Sequence, residues 1–230
     1  DKHKDEMKHQ FGIKIDDDNM SLPGMYWSPK MHKTPSKARF IVAASSCTLK
    51  PLARKLTSIF KKFQQQVQNF HLKGRFFSGV KHFWVIQDKQ PVIKSIKNIN
   101  KRRCAKSIST YDFSTLYTKI PHDKLKDVLH QITDFCWEGC KNVKIRVNDQ
   151  GAFWSKGIGR NKYKEFEFSH NQVKNAITYL LDNCYFQVGN SIFKQNIGIP
   201  MGSDPARFMA NLFLYFYENK FITELKKSDL

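Results

Sequence analysis

The sequence predicts an α+β fold, in which short antiparallel strands and amphipathic helices share one core. The chain has 230 residues, and 40% of them are hydrophobic, which is enough for a sizeable core. Apolar residues at helical spacing over 48–70 predict a long helix with Pro51 in its first turn. Two alternating segments flank Gly189 and Asn190, a pair typical of a two-residue hairpin turn.

The other elements follow from the same two periods. An apolar strand beginning near Leu22 and a β-rich segment over 39–44 enclose a basic connection, which predicts a first hairpin. Residues 141–170 are polar and predict a loop or a hairpin insertion. Helices are predicted, in chain order, over 48–70, 92–99, 124–137, 171–183 and 206–225, the last of them mostly buried.

The charge of the chain points to a polyanionic partner. There are 39 Lys and Arg against 20 Asp and Glu, a net charge of +19. Such a surface carries a strong positive field whatever its fold, and the aromatic content excludes a disordered basic tail. No apolar stretch resembles a signal peptide or a membrane span, so we expect no membrane partner.

The cysteines predict free thiols in a reducing, intracellular location. Five cysteines are an odd number, and their spacing is not that of a disulfide framework. A zinc site formed by His130, Cys136 and Cys140 is an alternative, but it lacks the paired short clips of structural zinc sites. Buried or half-buried thiols are the favoured interpretation.

The first 20 residues mix charges of both signs and predict an arm or a frayed element. The run Asp16–Asp18 within it could suggest a metal site. Neighbouring side chains do not converge on one ion without a specially folded loop, so a solvated acidic turn is favoured.

Asp112 is the candidate metal ligand. It lies in ISTYDFSTLYTKIP, a segment that predicts a strand ending before a helix, with Tyr117 five positions further on. A divalent cation that joins a nucleotide to a primer needs a hard oxygen ligand on a rigid element, which a strand supplies.

Two further segments carry candidate binding residues. The first hairpin has cations at its tip and flanks, among them Lys30, Lys33 and Arg39, which suit the oxygens of a triphosphate. An edge strand guarded by lysines is an equally good interpretation of that hairpin on its own. The segment QNIGIPMGS, 195–203, contains glycines that permit close approach of the backbone to a ligand, although such a run is often only a tight turn.

These segments together resemble the reverse-transcriptase domain of Penelope-like retroelements, which are relatives of the telomerase catalytic subunit. The resemblance covers residues 22–218. MYWSPKMHK and RFIVA resemble the first two fingers motifs, YDFSTLYTKIP resembles motif A, and QNIGIPMGSDPARFMANLF resembles motif B. The four motifs follow one another in the order of the family, which independent chance matches would not be expected to reproduce.

The resemblance implies a right-hand polymerase fold with fingers, an incomplete palm and no thumb. It also implies a nuclear retroelement protein, with DNA integration as the role of the whole element. The expected divisions are an N-terminal arm at 1–20, fingers at 21–105, the palm strand with motif A at 106–121, a helix, insertion and hairpin at 122–195, and the truncated motif B helix at 196–230.

The resemblance also implies roles for single residues. Asp112 would be catalytic and would bind both Mg²⁺ ions of a two-metal transfer, together with the main-chain carbonyl of Phe113. Tyr117 would lie under the sugar and exclude a 2′-hydroxyl, so the expected substrate is a dNTP. The remaining nucleotide-binding residues would be Lys30, Arg39, Gln195 and Gly202, and those facing the RNA template or RNA–DNA hybrid would be Lys33, Gly198, Pro200 and Ser203.

The sequence departs from the family after motif B. The second aspartate pair of such polymerases, in an xxDD hairpin, does not follow the motif B helix in these residues, and neither does a thumb or a GIY-YIG endonuclease. Arg207 stands where the family favours proline. Two hypotheses follow: a fragment of a reverse transcriptase that is inactive alone, or a non-catalytic module that binds RNA or an RNA–DNA hybrid through phosphates.

Overall fold

The computed structural model has the predicted α+β class, with seven helices and two small sheets among the residues that it describes. It describes residues 2–16, 21–31, 34, 37–78, 83–86, 88–103, 105–113, 115–138, 143–156, 166–200 and 202–228. The helices are α1 Lys2–Phe11, α2 Lys50–Ser78, α3 Gln90–Arg102, α4 Leu116–Lys119, α5 His122–Trp137, α6 His170–Asp182 and α7 Ala206–Ser228. The strands are β1 Gly24–Lys30, β2 Lys37–Ala43, β3 Lys144–Asn148, β4 Gly151–Ser155, β5 Phe166–Phe168, β6 Tyr185–Val188 and β7 Ser191–Lys194.

The larger sheet joins the two predicted hairpins in the order β2-β1-β6-β7. Within each hairpin the strands are antiparallel, and β1 meets β6 in parallel at Gly24 and Gln187. The turn between β6 and β7 contains Gly189 at φ 58°, as the sequence predicted. The first hairpin is therefore attached to a segment far away in the chain.

The smaller sheet, β4-β3-β5, lies in the region predicted as a loop or hairpin insertion. A hairpin is present there, and β5 adds a third strand to it. Ile145 and Val147 alternate with more exposed neighbours on β3 and are buried, so the sheet contributes one face to the core.

Helix α2 is the centre of the core. The apolar positions that predicted it, Leu52, Leu56, Ile59, Phe60 and Phe63, are all fully buried. The helix continues to Ser78, beyond its predicted end. Helices α5 and α6 add further buried side chains, because each has one apolar stripe that faces inward, and the first half of α7 adds Met209 and Leu212.

The N-terminal segment is not the frayed arm that its mixed charge suggested. It forms α1, and its apolar residues Met7, Phe11, Ile13 and Ile15 belong to the core. The first pair has the i, i+4 spacing of one helix face, and the second pair alternates as in an extended segment. Asp16 is exposed, while Asp17 and Asp18 lie outside the described residues.

The strand predicted around Asp112 is absent. Residues 105–113 are neither helix nor strand, and Ile108 and Tyr111 are 74% and 95% exposed. A strand is stable only beside a hydrogen-bonding partner, and no described strand lies along this segment. Regular structure resumes only at α4.

Helix α7 is buried only over its first half. Phe208, Met209 and Leu212 are in the core, whereas Phe221 and Leu225 are 60% and 46% exposed. The described helices include none with the length and hydropathy needed to cross a lipid bilayer.

Candidate functional site

An open groove of about 820 Å³ lies between the first hairpin, the segment that includes Asp112, and the turn before α7. These three segments are remote in sequence, and each contributes both polar and apolar side chains. The groove is lined by Lys30, Ala38, Arg39, Phe40, Asp112, Phe113, Leu116, Tyr117, Thr118, Gly202, Ser203, Asp204, Ala206 and Arg207.

The groove brings together most of the residues predicted for nucleotide binding and catalysis. They come from all four of the motifs that carry the family resemblance. The predicted residues that meet here are Lys30, Arg39, Asp112, Phe113, Tyr117, Gly202 and Ser203.

The register of the first hairpin aligns its two groove cations. Lys30 pairs with Lys37 and Arg39 pairs with Ser28, so Lys30 and Arg39 lie diagonally on one face of the hairpin. A planar guanidinium and an ammonium side by side can bind neighbouring oxygens of a polyphosphate.

Gln195, Gly198 and Pro200 do not line the groove. The Gln195 amide donates to the carbonyls of Ile197 and Gly198, at 3.0 and 3.2 Å, so it holds its own loop. Gln195 and Pro200 line a separate apolar cavity beside Cys47. Lys33 lies outside the described residues.

Gly198 fastens the motif B loop to the motif A segment. Its amide donates to the Ile120 carbonyl at 2.7 Å, and the Ile199 amide donates to the Tyr117 carbonyl at 2.8 Å. At φ 86°, a Cβ on Gly198 would lie 2.5 Å from the Tyr117 oxygen, so glycine is required. Buried His122, which the sequence did not single out, adds a 2.8 Å bond from its ring nitrogen to the Gly198 carbonyl.

Gly202 fastens the same loop to β2. Its φ is 98°, and a Cβ there would lie 1.9 Å from the carbonyl oxygen of Val42. Only glycine lets the two backbones approach so closely. The groove walls from motif A, motif B and the hairpin are thus held in register by backbone contacts.

The groove is cationic around an unpaired carboxylate. Asp112 is exposed and forms no ion pair or hydrogen bond with any described residue. Lys30, Arg39 and Arg207 line the same groove. A second acid, Asp204, is neutralised by Lys50, whose Nζ lies 2.8 Å from its Oδ1.

The groove contains oxygen ligands of the type that a hard cation prefers. Asp112 supplies a free carboxylate, Phe113 lines the groove beside it, and Asp204 Oδ2 is buried without a hydrogen-bond partner. No group of three or more His, Cys, Asp or Glu converges among the described residues. Mg²⁺ here would take the rest of its ligands from water and phosphate oxygens, as it commonly does.

Several groove residues had no clear signal in the sequence. Asp204 lies in the turn before α7, and its side chain binds Lys50 on α2. Arg207 had been only a departure from the family pattern, and Phe40 and Thr118 are ordinary residues of a strand and a helix. Their common position depends on the tertiary packing of segments that local patterns do not relate.

The candidate zinc ligands have other contacts. His130 Nε2 lies 3.2 Å from the Lys174 carbonyl, and burial lowers the pKa of His130. Cys136 is a buried thiol that is not in a disulfide, and Cys140 falls outside the described residues. The described part of this cluster thus supports the thiol interpretation for Cys136.

Among known proteins, no family model matches the chain, and a search of curated proteins finds no match either. The groove's own chemistry therefore has to support any assignment of function.

Proposed function

We propose that the chain is a fragment of an RNA-directed DNA polymerase of a retroelement, and that the groove is its nucleotide-addition site. One observation carries the proposal: residues chosen from four sequence motifs line one cationic groove around an unpaired carboxylate. A set of unrelated turns and strand residues would have no reason to meet in one place.

In this proposal the cations of the groove bind the triphosphate of an incoming dNTP. Lys30 and Arg39 project from one face of the hairpin, so they can contact neighbouring phosphate groups. Arg207 lies at the other wall, beside the turn that Gly202 holds. Their positive charge stabilises the negative charge that develops on the phosphate oxygens during phosphoryl transfer.

Asp112 and the main-chain carbonyl of Phe113 would hold Mg²⁺. When bound, this cation would neutralise the phosphate oxygens and favour the attack of a primer hydroxyl. Asp112 is the only unpaired carboxylate among the described groove residues, because Asp204 is paired with Lys50. Two cations close together need more anionic ligands than this, so we propose that this chain alone turns over little.

In this proposal Tyr117 contacts the sugar of the incoming dNTP. Tyr117 lines the groove, its side chain is partly buried against the core, and its carbonyl accepts a hydrogen bond from the Ile199 amide at 2.8 Å. A ring whose backbone is fixed in this way can exclude a 2′-hydroxyl sterically, which supports dNTPs as the substrate.

A non-catalytic module that binds RNA or an RNA–DNA hybrid is the second candidate. The same scarcity of groove carboxylates favours it, together with the net charge of +19. Both candidates bind nucleic acid, but only the polymerase needs Asp112 to hold a cation.

Exchanging Asp112→Asn should change dNTP binding in opposite directions with and without Mg²⁺. With Mg²⁺ we expect about tenfold weaker binding of a labelled dNTP, because a cation ligand is lost. In EDTA we expect the variant to bind severalfold more tightly than the wild type, because a repelling charge is removed. Fluorescence polarisation at fixed ionic strength measures both.

The matched control is Glu224→Gln, which removes one negative charge from the exposed part of α7 and should have no such reversal. Tighter binding by Asp112→Asn in both buffers would favour the non-catalytic module. If the wild type binds neither dNTP nor nucleic acid, both candidates fail.

A further inference from the structure

A second cavity, of about 260 Å³, lies between α2 and the start of α7. Arg207 lines both this cavity and the groove, so the two are neighbours. The cavity is lined by Lys61, Gln64, Gln65, Ile86, Arg207, Phe208 and Asn211. We call it the α2–α7 cavity.

Gln64 is the unusual residue of the α2–α7 cavity. It is only 2% exposed, and its Oε1 is buried without a hydrogen-bond partner. Its neighbours on α2, Phe60 and Phe63, are fully buried apolar side chains, and an apolar residue would suit this position too. A buried amide oxygen that lacks a partner costs stability, and a ligand in the cavity that donated a hydrogen bond to it would remove that cost.

The chemistry of the lining defines that ligand. Lys61 and Arg207 are cations and attract an anionic group. Gln64 suits a hydroxyl, which can donate and accept and therefore satisfies the amide in either orientation. Ile86 and Phe208 offer an apolar wall for sugar carbons. An anion next to a hydroxylated sugar is the chemistry of a ribose phosphate.

We propose that the α2–α7 cavity binds a ribose–phosphate unit of an RNA strand that continues from the groove, with Gln64 bonded to a 2′-hydroxyl. This rests on the proposed function, because it needs nucleic acid in the groove. The cavity is smaller than the range of about 300–1,000 Å³ typical of sites that enclose a whole small molecule, which favours one unit of a polymer. Gln64 would then distinguish RNA from DNA, since only RNA carries the 2′-hydroxyl.

Exchanging Gln64→Met should reduce the preference for RNA without destabilising the protein. We expect about fivefold weaker binding of a single-stranded RNA, the effect of one lost hydrogen bond, and no change for DNA of the same sequence. Unfolding in urea should occur at the same or a higher concentration, because an unsatisfied buried group is removed. The matched control, Gln131→Met on the exposed face of α5, should change neither.

The surface substitution Lys61→Gln gives a second test that does not depend on core packing, because Lys61 is exposed and lines this cavity but not the groove. The variant should bind both RNA and DNA more weakly, and the slope of log affinity against log salt concentration should fall by about one unit. The control Lys97→Gln, on the exposed helix α3, should not weaken binding at the cavity. Free AMP should compete poorly with RNA, and competition at comparable concentration would point to a free nucleotide as the ligand and overturn the polymer assignment.

The outcomes separate this inference from the proposed function. Suppose that the wild type binds nucleic acid, but that Gln64→Met weakens the binding of RNA and DNA equally or weakens neither. The cavity then does not distinguish the two sugars, and this inference fails while the proposed function stands. If the wild type binds neither polymer, the proposed function fails and the cavity assignment fails with it.

Discussion

The substitution Gly202→Ala should destabilise the protein by about 2–5 kcal/mol, the combined cost of a left-handed backbone and an overpacked contact. The new Cβ would lie 1.9 Å from the Val42 carbonyl oxygen, and the φ of 98° is one that alanine rarely adopts. Because the clash is with backbone, the loop or the hairpin has to move. Urea unfolding followed by circular dichroism measures the change in the free energy of unfolding.

Gly189→Ala is the matched control for this substitution. Gly189 also has a positive φ, 58°, but an added Cβ there meets nothing within 4 Å. We expect a cost of about 1 kcal/mol, from backbone strain alone. Equal costs at the two glycines would contradict the close approach of Gly202 to β2.

Binding of an RNA–DNA hybrid should weaken about a hundredfold between 50 and 200 mM salt, if about four phosphates are neutralised. In the absence of dNTP, this expectation follows from the four cations around the groove and the α2–α7 cavity, which are Lys30, Arg39, Lys61 and Arg207. Each phosphate contact releases counterions, so the logarithm of affinity falls linearly with the logarithm of salt concentration. Polarisation titrations at several salt concentrations give the slope.

A double variant, Lys30→Gln with Arg39→Gln, should lower that slope by about two units. The matched control is Lys94→Gln with Lys97→Gln, which removes two exposed cations on α3. Both double variants change the net charge of the protein by the same amount. If both double variants lower the slope equally, binding follows the overall field of the protein and not the groove.

The elements with strong periodicity could be predicted from the sequence alone. Helix α2 and both hairpins of the larger sheet were expected from apolar spacing and turn residues, because these are properties of the local chain. The predicted buried face of α2 was confirmed residue by residue, since an amphipathic stripe can face only inward.

The remainder depends on long-range contacts that no local pattern encodes. Residues 105–113 have the β-rich composition of a strand, but a strand also needs a partner at its side. Helix α1 has a mostly polar composition, yet it packs against α6. The ring of Tyr179 on α6 stacks on His3 and forms a T-shaped contact with Phe11. Asp204 and Arg207 acquire their positions only when the loop before α7 reaches β2.

The backbone bonds between the motif A and motif B segments have a consequence for dynamics. The amides of Gly198 and Ile199 donate to the carbonyls of Ile120 and Tyr117, and neither Gly198 nor Ile199 lines the groove. Their exchange with deuterium should therefore slow together when a nucleotide rigidifies the groove, although neither amide touches it. Deuterium exchange at these two amides, followed by mass spectrometry, thus reports whether the groove is occupied without a dye or a substituted side chain.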